Sequence, residues 1–162
     1  MAPAPSSNDG SIFAEKFELI KSKMGYEFKD YELMKRAVKT RDYCEKNEAF
    51  RTSVKDPLAM LGDSIIRTLV IKRLMAEDIK TAGDINDEAM KNTTREAQAL
   101  RAKRAYLEKI FVWSNNEEKS HSWNNKKALG ECLDMLIGAI YLDSNSIDAC
   151  EKALDQIKFF RV

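Results

Sequence analysis

Histidine is almost missing from this chain: His121 is the only one in 162 residues. That leaves no material for a histidine-rich metal site or a triad built on histidine. Set in Ser120-His121-Ser122, His121 itself reads as a solvated loop residue. Proline and glycine are also scarce, at three and six residues, so the chain carries few helix breakers and a mostly helical fold is favoured. No apolar run is long enough to cross a membrane. The net charge is only +1, which provides no global basic field. A polyanionic partner would have to be held by local patches or by a metal. The three cysteines, Cys44, Cys132 and Cys150, are odd in number and lack metal-ligand spacing. They fit structural thiols in a reducing, intracellular compartment, cytoplasm or nucleus.

What is present is an ordinary globular balance, 44% hydrophobic and 33% charged, at a length suited to one domain. The first twelve residues, rich in Ala, Pro and Ser, lack the basic and apolar parts of a signal peptide and read as a disordered tail. The domain is then expected over 13–162. Apolar residues at helical spacing place a helix over Phe13 to Lys23, stopped by Gly25. A second, capped by Asp30, turns Leu33, Met34, Ala37 and Val38 inward. Arg41 to Lys55 reads as a long loop or a short helix. A long helix follows, with Asp56 as N-cap, Pro57 in the first position and a wide stripe of Ile65, Ile66, Leu69, Val70, Leu74 and Met75. Beyond Gly83, Asn86 caps a short helix to Lys91. Thr93-Thr94-Arg95-Glu96 has capping-box spacing and opens a basic helix to about Phe111. Trp113 to Asn125 is polar and reads as a loop. Two last helices, Lys127 to Leu142 and Ile147 to Phe160, are split by Asp143-Ser144-Asn145-Ser146. The fold class is all-α.

Two helices carry acidic residues on faces that are otherwise apolar. Ala59 and Asp63 lie four apart, Glu131 and Asp134 three apart, so each pair shares a face. Gly62 and Gly138 sit inside these helices although each costs about 1 kcal/mol against alanine there. A close helix crossing explains both, and would bring Asp63 beside Asp134. Carboxylates gathered in that way suit Mg²⁺. On spacing alone, the same acids also fit ordinary helix residues satisfied by their neighbours, which is the commoner case.

Leu58-x-Met60-Leu61-Gly62-Asp63-Ser64 resembles the ribonuclease III hallmark, Glu-Arg-Leu-Glu-Phe-Leu-Gly-Asp-(Ala/Ser). Lys127 to Asp143, reading KALGECLDMLIGAIYLD, resembles the family's second motif, with a glycine at the fourth place similar to Dicer-type enzymes. Leu19 to Arg41, with Met24-Gly25-Tyr26-x-Phe28 and Ala37-Val38-Lys39-Thr40-Arg41, is similar to the opening helices and their Thr-His-Arg corner. The likeness runs from about Phe17 to Phe160. It implies a compact helical endonuclease domain that pairs into a two-fold homodimer. That domain would cut double-stranded RNA with Mg²⁺ (or Mn²⁺), leaving staggered ends with 5′-phosphates and 3′-hydroxyls, in RNA processing or silencing. By the same resemblance Asp63 and Asp134 hold the metal, Glu131 acts through water or a second metal, and Lys127 steadies the scissile phosphate. Leu58 and Met60 fall where the family's dimer contact lies, with Met60 in place of an aromatic.

The departures are specific. Ala59 stands where the family has its first glutamate, and the two acids of the second motif are exchanged, Glu131 for aspartate and Asp134 for glutamate. They motivate an alternative: a non-catalytic RNA-binding or scaffold module, ribosomal or paired with an active subunit. Around the basic helix, Lys91, Arg95, Arg101, Lys103, Arg104 and Lys109 outnumber Glu96 and Glu108. Lys91, Arg95, Arg101, Lys103 and Arg104 are the candidate RNA contacts, since duplex RNA is read largely through phosphates and 2′-hydroxyls. A solvated face laced with charge pairs accounts for them equally well. Nothing in the chain resembles a double-stranded-RNA-binding domain.

Overall fold

The computed structural model describes residues 10–47, 56–79 and 81–160. Among them are nine α-helices and no strand, only a single parallel bridge between Lys39 and Val112. Helix α1 spans Gly10–Met24 and takes in the last part of the segment read as a tail. The rest of that segment lies outside the described residues. Gly25 ends α1 at a φ of 67°, where a side chain would be strained. Asp30 caps α2, Tyr31–Val38, by accepting from the Leu33 amide. The uncertain stretch after it forms a short α3, Arg41–Asn47. Helix α4 runs Asp56–Met75, with Pro57 in its first turn.

Several boundaries differ from the sequence reading, each for a local reason. Thr81, not Asn86, caps α5, Ala82–Asn92, so Gly83 lies in the helix and not in the connection. Thr94 caps α6 through the Ala97 amide, one residue later than the capping-box spacing suggested. The helix is Arg95–Arg104; Tyr106 then turns left-handed and a 3₁₀ turn, Leu107–Ile110, carries the chain on. The polar stretch read as loop holds a six-residue α7, Asn115–Ser120, built on a true capping box between Ser114 and Glu117. Helix α8 spans Ala128–Ser144, and α9, Ile147–Gln156, gives way to a turn before Phe160.

Helix α8 is the axis of the molecule. From Leu129 to Ile140 every residue except Glu131 is buried, because α2, α4, α6 and α9 all pack on it. A helix that is apolar nearly all round has no solvent face to keep, and burial on all sides is the stable solution. Its far end is tied down by Asp143, whose carboxylate accepts from the Tyr26 hydroxyl (2.5 Å) and the Lys29 and Asp30 amides (2.8 Å each). Burial and that carboxylate push the Tyr26 hydroxyl well above its ordinary pKa. In α4 the expected stripe is buried except for Met75, which faces solvent.

Helices α4 and α8 cross backbone against backbone. A Cβ on Gly62 would lie 1.7 Å from the Asp134 carbonyl oxygen, and one on Gly138 would lie 2.2 Å from that of Leu58. These two contacts make the helices antiparallel at the crossing. Gly130 does the same for α6, where a Cβ would meet the Arg95 carbonyl at 2.4 Å. Gly83 has open space around it. Gly62→Ala is therefore expected to destabilise the fold by about 3 kcal/mol or more, because two backbones must part. Gly83→Ala should be neutral or stabilising by up to about 1 kcal/mol. Urea unfolding of both variants checks this, and similar effects would refute the backbone contact.

Candidate active site at the crossing of α4 and α8

The crossing sets Asp63, on the exposed side of α4, next to Asp134 on α8, whose residue is only 2% exposed. Ala59, one turn before Asp63, is buried and brings no donor. Burial is the main reason the Asp134 carboxyl is pushed up to about 8. The Asp63 charge adds to this, and Glu131 contributes in the same direction, while Arg95 and a hydrogen bond from Gln98 pull it down. Its Oδ1 has no hydrogen-bond partner. A buried carboxylate left in that state is costly unless something positive joins it.

Gln98 was not among the residues picked out from sequence. It is fully buried on α6, its Nε2 donating to the Thr93 carbonyl at 3.3 Å, and its side chain also bonds Asp134. The signal was present: an amide on the same helix face as Ala99 and Ala102, which are buried.

Glu131 points elsewhere. Arg41 Nη2 donates to its Oε1 at 2.5 Å, and Arg95 Nη1 lies 3.8 Å from Oε2. Lys127, just before α8, is exposed and lies 3.6 Å from Glu96. Among the described residues no three His, Cys, Asp or Glu side chains are grouped to hold a metal. Mg²⁺, however, is commonly bound by one or two carboxylates, with water and substrate phosphate completing the octahedron. The orphaned Asp134 oxygen beside Asp63 fits that smaller donor set; Glu131, engaged by two arginines, does not belong to it as it stands.

The basic residues around α6 do not form one stripe. At 3.6 residues per turn, Arg95, Arg101, Lys103 and Arg104 point in different directions about the axis. Arg101 turns inward, donating to the Asn92 carbonyl at 2.7 Å and lying 5.0 Å from the Phe159 ring. Lys103 pairs with Glu108 at 3.7 Å and Lys91 with Glu88 at 3.2 Å. Of the five expected RNA contacts, only Arg95 borders the acid pair. Of the two expected dimer residues, Leu58 is buried in the chain's own core at the crossing, whereas Met60 is 69% exposed.

A family model described as ribonuclease-III-like matches residues 30–158. The chain belongs to the ribonuclease III-like family. It is 30% identical over 132 residues to the Ribonuclease 3 of Shewanella sp. (strain MR-7), covering 81% of this chain and 55% of that protein. With the Ribonuclease 3 of Streptococcus uberis it shares 24% over 140 residues, or 86% and 60% of the two chains. The chain thus spans little more than half the length of these curated relatives. Among solved structures, the nuclease domain of ribonuclease III from Campylobacter jejuni superposes with a TM-score of 0.73 at 26% identity. That match covers 90% of this chain and 99% of the domain, whose structure is described in terms of flexibility in the region involved in dimer formation.

The state of Asp134 has a measurable consequence. Between the ordinary carboxylate pKa and about 8, folded Asp134 keeps a proton that the unfolded chain has lost. Its contribution to stability is therefore full below that window and is lost as pH rises through it. In EDTA, Asp134→Asn should melt higher than the parent at about pH 8 and lose that part of the pH dependence. Parallel melting profiles would contradict this.

Proposed function

We propose that the chain is the nuclease domain of a metal-dependent endoribonuclease that hydrolyses double-stranded RNA. The observation that carries this reading is Asp134: a buried carboxylate with a partnerless oxygen, held beside Asp63 by a backbone-tight crossing. A carboxyl perturbed by burial together with a specific charge partner is a mark of functional sites. Family membership and the relatives named Ribonuclease 3 support the reaction class.

Asp63 and Asp134 would hold Mg²⁺, or Mn²⁺ in its place. Such an ion, when bound, polarises the phosphoryl oxygen and lowers the pKa of the attacking water. The chain's own residues do the rest. Gln98 fixes the Asp134 carboxylate. Lys127, exposed at the start of α8 and 3.6 Å from Glu96, would turn to steady the scissile phosphate. Met60, exposed one turn before Ser64 on α4, offers an apolar contact for a second copy, and supports a two-fold homodimer with one site in each subunit. The products would be staggered ends with 5′-phosphates and 3′-hydroxyls, consistent with a role in RNA processing. Cys44, Cys132 and Cys150 are buried thiols. They support an intracellular setting, where burial also pushes Cys150 up to about 12 and keeps it unreactive.

One alternative has specific support. Ala59 supplies no ligand and Glu131 is held by Arg41, as a duplex-binding module that does not cut would allow. Incubation with a long RNA duplex and Mg²⁺ or Mn²⁺ separates the two. The proposal predicts cleavage that Asp63→Asn reduces by about a hundredfold or more while melting is kept. Intact RNA under both metals would sink the enzyme and leave the module.

A further inference from the structure

The contact between Arg41 and Glu131 joins positions 90 apart in sequence, and the fold prepares it from both sides. The Thr40 amide donates to the Val112 carbonyl at 3.1 Å, and the Val112 amide to that of Val38 at 2.8 Å. The side chain of Thr40 bonds Glu117, and that of Asp42 bonds Ser114. Arg41 therefore sits between two anchored neighbours. Arg95 is set by its own carbonyl against Gly130 and by the Thr94 cap. The exposures of the three side chains are ordered. Glu131 is 20% exposed, Arg41 43% and Arg95 53%, so the carboxylate lies beneath two guanidinium groups that face solvent.

Resting on the acid-pair reading above, we propose that Arg41 and Arg95 are a phosphate-binding pair for the backbone of an RNA duplex. Glu131 is the residue that positions them and is not a ligand of the cation. A guanidinium carries five N–H donors in a planar fork suited to phosphate, and both of these groups keep a large share of their surface toward solvent above the carboxylate. Arg95 acts on the Asp134 carboxyl directly, and Arg41 meets Glu131, which lies one turn before Asp134 on α8. The exchange of acids in the second motif then has a reason. Glutamate at 131 reaches one methylene further than aspartate, far enough to touch Arg41 and approach Arg95, and it leaves the cation to Asp134 and Asp63.

Two measurements on the whole chain test this, with melting checked for every variant. The first is Mn²⁺ binding by calorimetry without RNA. Asp63→Asn and Asp134→Asn should each weaken it by about tenfold or more, and Glu131→Gln by less than about twofold. Equal loss in Glu131→Gln overturns the positioning role. Full retention in both aspartate variants overturns the acid-pair reading instead. The second is binding of a blunt RNA duplex in EDTA over a salt series. Arg41→Gln and Arg95→Gln should each weaken binding several-fold and lower the salt slope by about one. Glu131→Gln should weaken binding in the parent and have no effect in the double arginine variant. Unchanged slopes overturn the phosphate pair. Tighter binding by Glu131→Gln would mean that the carboxylate merely competes with RNA, and overturns its positioning role.

Discussion

The contact on which everything else depends is the backbone-to-backbone crossing of α4 and α8. Gly62 against the Asp134 carbonyl and Gly138 against that of Leu58 bring two helices closer than any side chain at those places would permit. The approach buries the Asp134 side chain, and it also leaves Asp63 on the neighbouring position at the rim. The acid pair is thus a product of packing. Two glycines that weaken their helices locally create a place where the Asp134 carboxylate is both buried and short of a partner.

Charge at this place is divided into two systems. Asp63 and Asp134 sit side by side, and burial first, with the Asp63 charge added to it, makes the second hold its proton far up the pH scale. Glu131, three residues away on the same helix, has the opposite surroundings, with a guanidinium against each of its oxygens. A single turn of α8 therefore separates an acid short of positive charge from an acid paired with two guanidinium groups. Gly130 allows this, since it lets α6 come close enough for Arg95 to stand between the two.

Much of the fold was legible because its signals are local. The 3.6-residue period, the Asp30 cap and the Gly25 stop set α1, α2 and the long α4, and glycines inside two acidic helices pointed to their crossing. Where signals overlapped, boundaries slipped: Thr94 and Thr93 offer the same cap chemistry, and the structure uses the second of the pair. Helix α7 escaped because its six residues bury nothing, although Ser114 and Glu117 spelled out its capping box. The site was legible only in part. Counting basic residues along α6 ignored that the helix turns them in different directions, sending Arg101 into the turn at Phe159. Leu58 and Met60 are two apart, so burial of one face and exposure of the other separates them. The Arg41–Glu131 pair is tertiary, and nothing near either residue in sequence announces it. Gln98 shares the buried face of Ala99 and Ala102, which marks it as buried but does not name Asp134 as its partner.

The central proposal is that Asp63 and Asp134 form a cation site that excludes Glu131. Crystals grown with Mn²⁺ and measured at a wavelength where manganese scatters anomalously test that directly. An anomalous peak is expected on the order of 2 Å from a carboxylate oxygen of each aspartate, with Glu131 still on Arg41. No peak at the crossing, or one held by Glu131 with Arg41 turned away, would contradict it.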